Sequence, residues 1–162
     1  MSQIPELGPR GEGWLLLQIF FMVSIPLAAW QASPPLDETP EVRLVRQVGY
    51  GILLAGLLLL FASSAALRNS RSFSALPRPI DSGSLVVAGP YRFVRHPIYC
   101  GLILAGIGSA LIRESLLVGV LTLVLSVVLD LKRRREEAWL LKRYPDYAAY
   151  RARTKALIPA VY

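Results

Sequence analysis

The sequence predicts an all-α integral membrane protein with about four transmembrane helices, including a short C-terminal helical hairpin, and a cytoplasmic tail. Two observations predict this class. Hydrophobic residues make up 54% of the 162 residues and charged residues only 18%, whereas a typical soluble domain has about 45–50% and about 25%. The charged residues also cluster beside long apolar runs. A chain of this length is expected to form a single membrane domain, residues 1–162.

Two uncharged runs within residues 13–67 predict the two N-terminal spans. The first run has 24 residues between Glu12 and Asp37, and the second has 21 residues between Arg46 and Arg68. A helix needs about 20 predominantly apolar residues to cross the hydrocarbon core of a bilayer. Each run is therefore long enough for one crossing.

Two shorter uncharged runs, residues 97–112 and 115–129, predict the helical hairpin. At about 1.5 Å per residue each run gives roughly 22–24 Å, which is less than the ~30 Å hydrocarbon core. The hairpin must therefore extend into its flanks, thin the bilayer or pack partly inside protein. The last helix is predicted to continue past Asp130 to near Tyr144, because charge pairs at i,i+4 support it and no helix breaker intervenes.

The basic residues predict the orientation of these helices. Five arginines lie in the polar connection between residues 68 and 97, and nine basic residues lie in the last 31. Both groups flank apolar runs, as the positive-inside rule describes. Four crossings place both groups, both termini and the active site on the cytoplasmic side. The net charge of +7 therefore indicates membrane lipids as partners and no nucleic acid.

The cysteine and histidine counts exclude several kinds of site. The single cysteine, Cys100, cannot form an intrachain disulfide, and no Cys/His cluster has metal-ligand spacing. We therefore expect no metal site. The single histidine, His96, must act without a second imidazole or be structural.

The segment before the hairpin concentrates polar side chains. It is Gly89-Pro90-Tyr91-Arg92-Phe93-Val94-Arg95-His96-Pro97-Ile98-Tyr99. Pro97 favours an extended backbone at His96 and suits the first turn of the following helix. The free N–H groups of that turn favour binding of a carboxylate or phosphate, and the Arg95 guanidinium can also bind such an anion. Alternatively, the arginines and tyrosines only anchor the chain at the membrane interface.

A second charged segment, Arg133-Arg134-Arg135-Glu136-Glu137, follows the last apolar run. Adjacent residues point about 100° apart on a helix, so Glu136 and Glu137 cannot form a matched acid–base pair. One of them can face inward while the other forms a salt bridge. The alternative is a solvated run of charges.

Taken together, these motifs resemble the isoprenylcysteine carboxyl methyltransferase family and related phospholipid methyltransferases. The resemblance covers residues 81–159. It rests on Leu85-Val86, Gly89-Pro90-Tyr91-Arg92, Arg95-His96-Pro97-Ile98-Tyr99 with Gly101, the hairpin, Glu136-Glu137 with Leu140, and Tyr147, Tyr150 and Pro159. It implies a membrane enzyme that binds S-adenosylmethionine without a Rossmann domain. The cofactor-binding residues that it implies are Leu85, Val86, Tyr91, Arg95, His96, Pro97, Ile98, Tyr99 and Glu136.

The resemblance also implies a lipophilic or lipid-anchored substrate that approaches between helices from the bilayer. The catalytic residues that it implies are Lys132 and Arg133, which orient the reactive group, and Glu137. A carboxylate acceptor needs no general base, whereas an amine acceptor must lose a proton, for which Glu137 or Glu136 could serve. The acceptor atom and the oligomeric state stay open.

Two other functions are compatible with a small membrane protein. A non-catalytic transporter or assembly subunit would place ionisable residues at mid-membrane depth, but the first, second and last spans contain nothing stronger there than Gln18 and hydroxyl side chains such as Ser63, Ser64, Thr122 and Ser126. The other function is that of an NADPH-dependent membrane reductase. Reductases of this kind resemble longer proteins with more spans than this sequence predicts. The sequence therefore favours the methyltransferase.

Overall fold

The computed structural model describes residues 5, 7–33, 39–70, 76 and 83–158. In this part of the chain there are five α-helices, a 3-10 turn at Gly89–Arg92 and no β-strand, so the all-α prediction is confirmed. The helices are α1 (Glu12–Gln31), α2 (Pro40–Asn69), α3 (Pro97–Arg113), α4 (Leu116–Arg143) and α5 (Tyr147–Arg153). Residues 71–75 and 77–82 of the predicted polar connection lie outside the described residues, as do Asp37 and Pro159.

Two of these helices, α1 and α2, are long and apolar enough to cross a membrane. Helix α1 covers most of the first uncharged run and α2 covers all of the second, but α2 begins seven residues before its run. Large apolar side chains on α2 point away from the protein; Phe61, for example, is 77% exposed. Such outward-facing apolar residues are expected where lipid and not water surrounds a helix. Helix α3 is shorter, with 17 residues, and α4 runs without a break from the apolar segment into the charged one.

Glycines allow α2 and α3 to pack closely. A Cβ atom added to Gly108 would lie 2.7 Å from the carbonyl oxygen of Gly49 and 2.6 Å from the backbone nitrogen of Leu53. A Cβ atom added to Gly56 would lie 2.8 Å from the carbonyl oxygen of Gly101. Small residues at such crossings matter in membranes, because lipid supplies no hydrophobic force between helices and packing must hold them together.

Replacing Gly108 by alanine should therefore destabilise the fold by about 1–3 kcal/mol, the usual effect of overpacking. Unfolding of the protein from detergent micelles, followed by circular dichroism, measures this difference. Gly51→Ala is the matched control, because no atom lies within 4 Å of a Cβ added at Gly51 on the same helix pair. Equal stability of the two variants would show that α2 and α3 are not in this close contact.

Helix α1 packs mainly against α4 and to a smaller extent against α3, whereas α2 packs against α3. Phe21 and Ile25 of α1 meet Leu125 and Leu129 of α4 and Tyr99 of α3 in the buried core. Helices α1 and α2 therefore pack mainly on different partners, α1 on α4 and α2 on α3. This arrangement leaves room between them for the cavity described below.

The C-terminal segment folds back onto the residues before α3. The backbone N–H groups of Arg95 and His96 donate to the carbonyl oxygens of Lys155 and Ala156 at 2.9 and 3.0 Å, next to an isolated bridge between Val94 and Lys155. We call this end of the bundle, formed by residues 83–96, the last part of α4 and residues 147–158, the polar end.

Candidate functional site

A cavity of about 500 Å³ lies between α1, α2, α3 and the polar end. Its polar wall includes Tyr91, Arg95, His96, Tyr99, Lys132 and Glu136, and the other side is lined mainly by apolar residues, among them Leu15, Ile19, Met22, Leu60, Leu67 and Leu102. Its size and its few convergent polar groups in an apolar lining are typical of small-molecule sites. The cavity is the candidate active site.

Glu136 is the carboxylate that lines this cavity. The Tyr99 hydroxyl donates to its Oε2 atom at 2.8 Å, and His96 Nδ1 lies 3.7 Å from the same atom. His96 occupies the N-cap position of α3 and Pro97 its first turn. The His96 and Tyr99 rings stack with centroids 5.3 Å apart. Two fixed rings therefore hold the Glu136 carboxylate in place.

Lys132 supplies the buried cation of the site. It is 2% exposed, and its Nζ donates to Oε1 of Gln18 on α1 at 2.5 Å and lies 5.5 Å from the centroid of the Tyr99 ring. Because Lys132 and Glu136 are one helical turn apart, the same face of α4 presents a cation and a carboxylate to the cavity. The sequence reasoning missed Gln18 as a site residue, although an amide in a predicted span is itself a signal of function.

Glu137 points away from the cavity and holds the polar end together. Its Oε1 accepts from Arg95 Nε at 2.9 Å and lies 3.1 Å from His96 Nε2, while Arg151 Nε is 3.4 Å from Oε2. Burial raises the pKa of this carboxyl, but the hydrogen bonds from His96 and Arg95 outweigh burial and bring the pKa to about 2. The two glutamates thus diverge, as helical geometry requires.

Glu137→Gln should lower stability in a pH-dependent way. Because the folded-state pKa of about 2 lies below the ordinary value of 4.5, the charged carboxylate stabilises the fold fully above about pH 5, and this contribution disappears as pH falls through about 2. Thermal unfolding of both proteins across this range should show a gap in melting temperature that narrows toward low pH. A gap of constant size would contradict the role of the charge.

Arg133 lies on the face of α4 with Glu137 and not on the face with Lys132. Its NH2 group is 2.7 Å from Asp130 Oδ1, and its NH1 group is 3.7 Å from Glu137 Oε1. It lines a second, smaller recess together with Arg95 and Arg151. The structure therefore separates two residues, Lys132 and Arg133, that the resemblance grouped as catalytic.

The remaining predicted cofactor residues lie around the first cavity. Leu85, Val86, Tyr91, Arg95 and Ile98 line it, and Pro97 is buried between His96 and Ile98.

Two tyrosines from the end of the chain hold these lining segments in place. The Tyr144 hydroxyl donates to the Gly83 carbonyl oxygen at 2.9 Å, and the Tyr150 hydroxyl to that of Tyr91 at 2.6 Å. Burial raises the pKa of Tyr150 to about 12, so its hydroxyl stays protonated and remains a donor at neutral pH.

The fold is helical, with two helices long and apolar enough to cross a membrane, and its cavity has the size and lining typical of a small-molecule site. The model of the phospholipid methyltransferase family matches residues 45–147, and the chain belongs to this family. The family resemblance seen in the sequence is thereby confirmed, and the family implies a membrane methyltransferase. The match includes α2, α3 and α4 but not α1.

Two curated relatives are similar over a shorter segment. The cobalt-zinc-cadmium resistance protein CzcN of Cupriavidus metallidurans is 35% identical over 79 residues, which are 48% of this chain and 37% of that protein. The nickel-cobalt-cadmium resistance protein NccN of Alcaligenes xylosoxydans xylosoxydans is 32% identical over 79 residues, with the same coverage of each chain. The matched segment thus spans little more than a third of either relative.

Proposed function

We propose that the protein is an S-adenosylmethionine-dependent methyltransferase that acts on a lipophilic or lipid-linked acceptor. One observation supports this most directly. In a chain of this family, a single cavity joins the Glu136, His96 and Tyr99 cluster to an apolar channel between α1 and α2. A polar cofactor and an apolar acceptor could therefore meet there without leaving the protein.

The polar wall suits the chemistry of the cofactor. S-adenosylmethionine bears a sulfonium, an ammonium and a carboxylate, and when bound it supplies an electrophilic methyl group, whose bond to sulfur breaks as the bond to the acceptor forms. Glu136 offers a carboxylate for the cationic groups, and Arg95 offers a guanidinium for the carboxylate. The cavity of about 500 Å³ lies within the range of about 300–1,000 Å³ found for such sites.

The apolar channel suits the tail of the acceptor. Leu15, Ile19 and Met22 of α1 face Leu60 and Leu67 of α2 across it, and α1 and α2 each pack on other helices. A lipid chain could enter between α1 and α2 from the bilayer. Methyl transfer then depends on holding the acceptor in line with the methyl group and on excluding water from the site. Together these two effects can supply much of the rate acceleration.

Lys132 and Glu136 would orient and prepare the reactive group. The Lys132 ammonium, held by Gln18, can pair with an acceptor carboxylate. If the acceptor is an amine, Glu136 is the better proton acceptor of the two glutamates, because it lines the cavity. Glu137 is engaged by Arg95 and His96 and has a pKa of about 2, which makes it a weak base.

We further propose four crossings, with both termini and the site on the cytoplasmic side. Contacts at the end of the bundle away from the polar end support antiparallel helices, because they join the start of one helix to the end of another. Away from the polar end, Arg46 at the start of α2 pairs with Glu114 at 3.2 Å, and Arg113 donates to the carbonyl oxygen of Trp30 at the end of α1 at 3.1 Å. The basic residues at the polar end then follow the positive-inside rule.

Equilibrium binding of labelled S-adenosylmethionine to the purified protein, in detergent and in lipid nanodiscs, tests the proposal. Saturable binding and transfer of labelled methyl groups to a farnesylated cysteine or to phosphatidylethanolamine are expected. Thermal stabilisation by S-adenosylhomocysteine and not by NADPH is expected as well. Stabilisation by NADPH alone would favour a reductase, and no cofactor binding in either environment would favour a transporter or assembly subunit.

A further inference from the structure

The polar end contains a second recess of about 400 Å³ that the methyltransferase site does not use. It lies between α4, α5 and the paired segments around Val94 and Lys155. Its lining residues are Arg95, Arg133, Arg151, Ala152, Arg153, Thr154, Lys155 and Ala156. Five of these side chains are cationic, and none is acidic. Of the eight, Arg95 alone also lines the first cavity.

Positive charge exceeds negative charge around this recess. Among the described residues, Glu137 pairs with Arg95, Arg133 and Arg151, and Asp130 pairs with Arg133 and also with Arg134 outside the recess. In this part of the chain, the five cations of the recess therefore meet two carboxylates, one of which is shared with a sixth cation. Arg153 and Lys155 are exposed to solvent, so the excess charge is open to a ligand. Guanidinium groups clustered in this way suit a phosphate, which accepts two hydrogen bonds from one arginine.

The position of the recess points to a phosphate that belongs to a lipid. The apolar run of α4 ends at Leu129, one residue before Asp130. Phe93 directly precedes Val94 of the Val94–Lys155 bridge, and Ile158 follows Lys155 by three residues; they are 66% and 54% exposed. Exposed apolar side chains next to cations are typical of protein surfaces at the membrane interface, where the headgroups lie.

We propose that this recess binds the phosphate of an anionic phospholipid in the surrounding leaflet, with Arg151, Arg153 and Lys155 as its ligands. These three ligands do not line the proposed cofactor cavity, so the proposal stands whether or not the proposed function is correct. Arg151 also pairs with Glu137. Arg153 lies 5.9 Å from the centroid of the Tyr150 ring, but Arg153 and Lys155 are both exposed, so we expect their replacement to affect the fold less than replacement of Arg151.

Binding of phosphatidylglycerol to the full chain in neutral detergent, followed by native mass spectrometry, tests this proposal. The double variant Arg153→Gln/Lys155→Gln should lose affinity by about ten- to thirtyfold, since each basic residue near an anionic surface contributes about a factor of five. The matched control is Arg10→Gln/Lys142→Gln, which removes the same charge from two exposed residues elsewhere and should change affinity less than threefold. Thermal unfolding verifies that both variants are folded.

Two further arms identify the source of the phosphate. Phosphatidylcholine should bind at least tenfold more weakly than phosphatidylglycerol, and inorganic phosphate at millimolar concentration should not displace phosphatidylglycerol. Equal loss of affinity in both double variants would show diffuse attraction without a site. Equal binding of phosphatidylcholine, or displacement by inorganic phosphate, would also overturn the proposal.

Discussion

Glu136→Gln should weaken S-adenosylmethionine binding by about ten- to a hundredfold. The carboxylate lines the cavity and is held by the Tyr99 hydroxyl at 2.8 Å, and a hydrogen bond to a charged group contributes about 1.5–3 kcal/mol. Removing the negative charge removes that contribution to a cationic ligand while keeping the shape of the side chain. Equilibrium binding of the labelled cofactor in detergent measures the loss.

The neighbouring glutamate supplies a sharp comparison. Glu137→Gln should lower the melting temperature but leave cofactor affinity within about threefold below that temperature, because Glu137 contacts Arg95 and His96 behind the cavity wall. Lys142→Ala, at an exposed position on the same helix, controls for charge changes in general. If Glu136→Gln bound the cofactor as tightly as Lys142→Ala does, the carboxylate would not be part of the cofactor site.

His96→Ala separates two roles for the histidine. Its ring stacks on Tyr99 and lies beside both glutamates, so we expect it to shape the cofactor pocket and the variant to lose binding. If this variant bound the cofactor normally and failed only in methyl transfer, His96 would be an acid–base group and not a pocket residue.

Lys132→Met should lower kcat/KM for methyl transfer by about ten- to a hundredfold while cofactor affinity changes less than threefold. The ammonium is buried on the cavity wall between Gln18 and the Tyr99 ring, where it can hold the reactive group of the acceptor. A charge-assisted hydrogen bond of this kind contributes about 1.5–3 kcal/mol. Transfer of labelled methyl groups to a farnesylated cysteine or to phosphatidylethanolamine measures the effect.

The control for this variant is Lys142→Met, which makes the same change at an exposed position ten residues further along α4 and should leave transfer unaltered. Gln18→Leu should reproduce part of the loss, because it removes the amide that orients Lys132. Full transfer by Lys132→Met to every acceptor tested would show that the ammonium does not orient the substrate.

Local patterns in the sequence were sufficient to predict the helices and the types of side chain that the site contains. The uncharged runs predicted α1 and α2, because transfer of an apolar helix into lipid depends on composition alone. Pro97 after His96 predicted the start of α3, and the helical repeat required that Glu136 and Glu137 face different directions. Each of these inferences depends on residues within one continuous segment of the chain.

Contacts between distant segments were decided only by the tertiary structure. Which of the two glutamates faces the cavity depends on the rotation of α4 against α3, and no local pattern specifies that rotation. Gln18 reaches Lys132 across 114 positions, and the carbonyl oxygens of Lys155 and Ala156 hold Arg95 and His96. Such contacts arise from the packing of whole helices, in which glycines such as Gly56 and Gly108 set the distances. The sequence by itself therefore determined the helices and the chemistry available to the site, whereas packing determined which side chains meet.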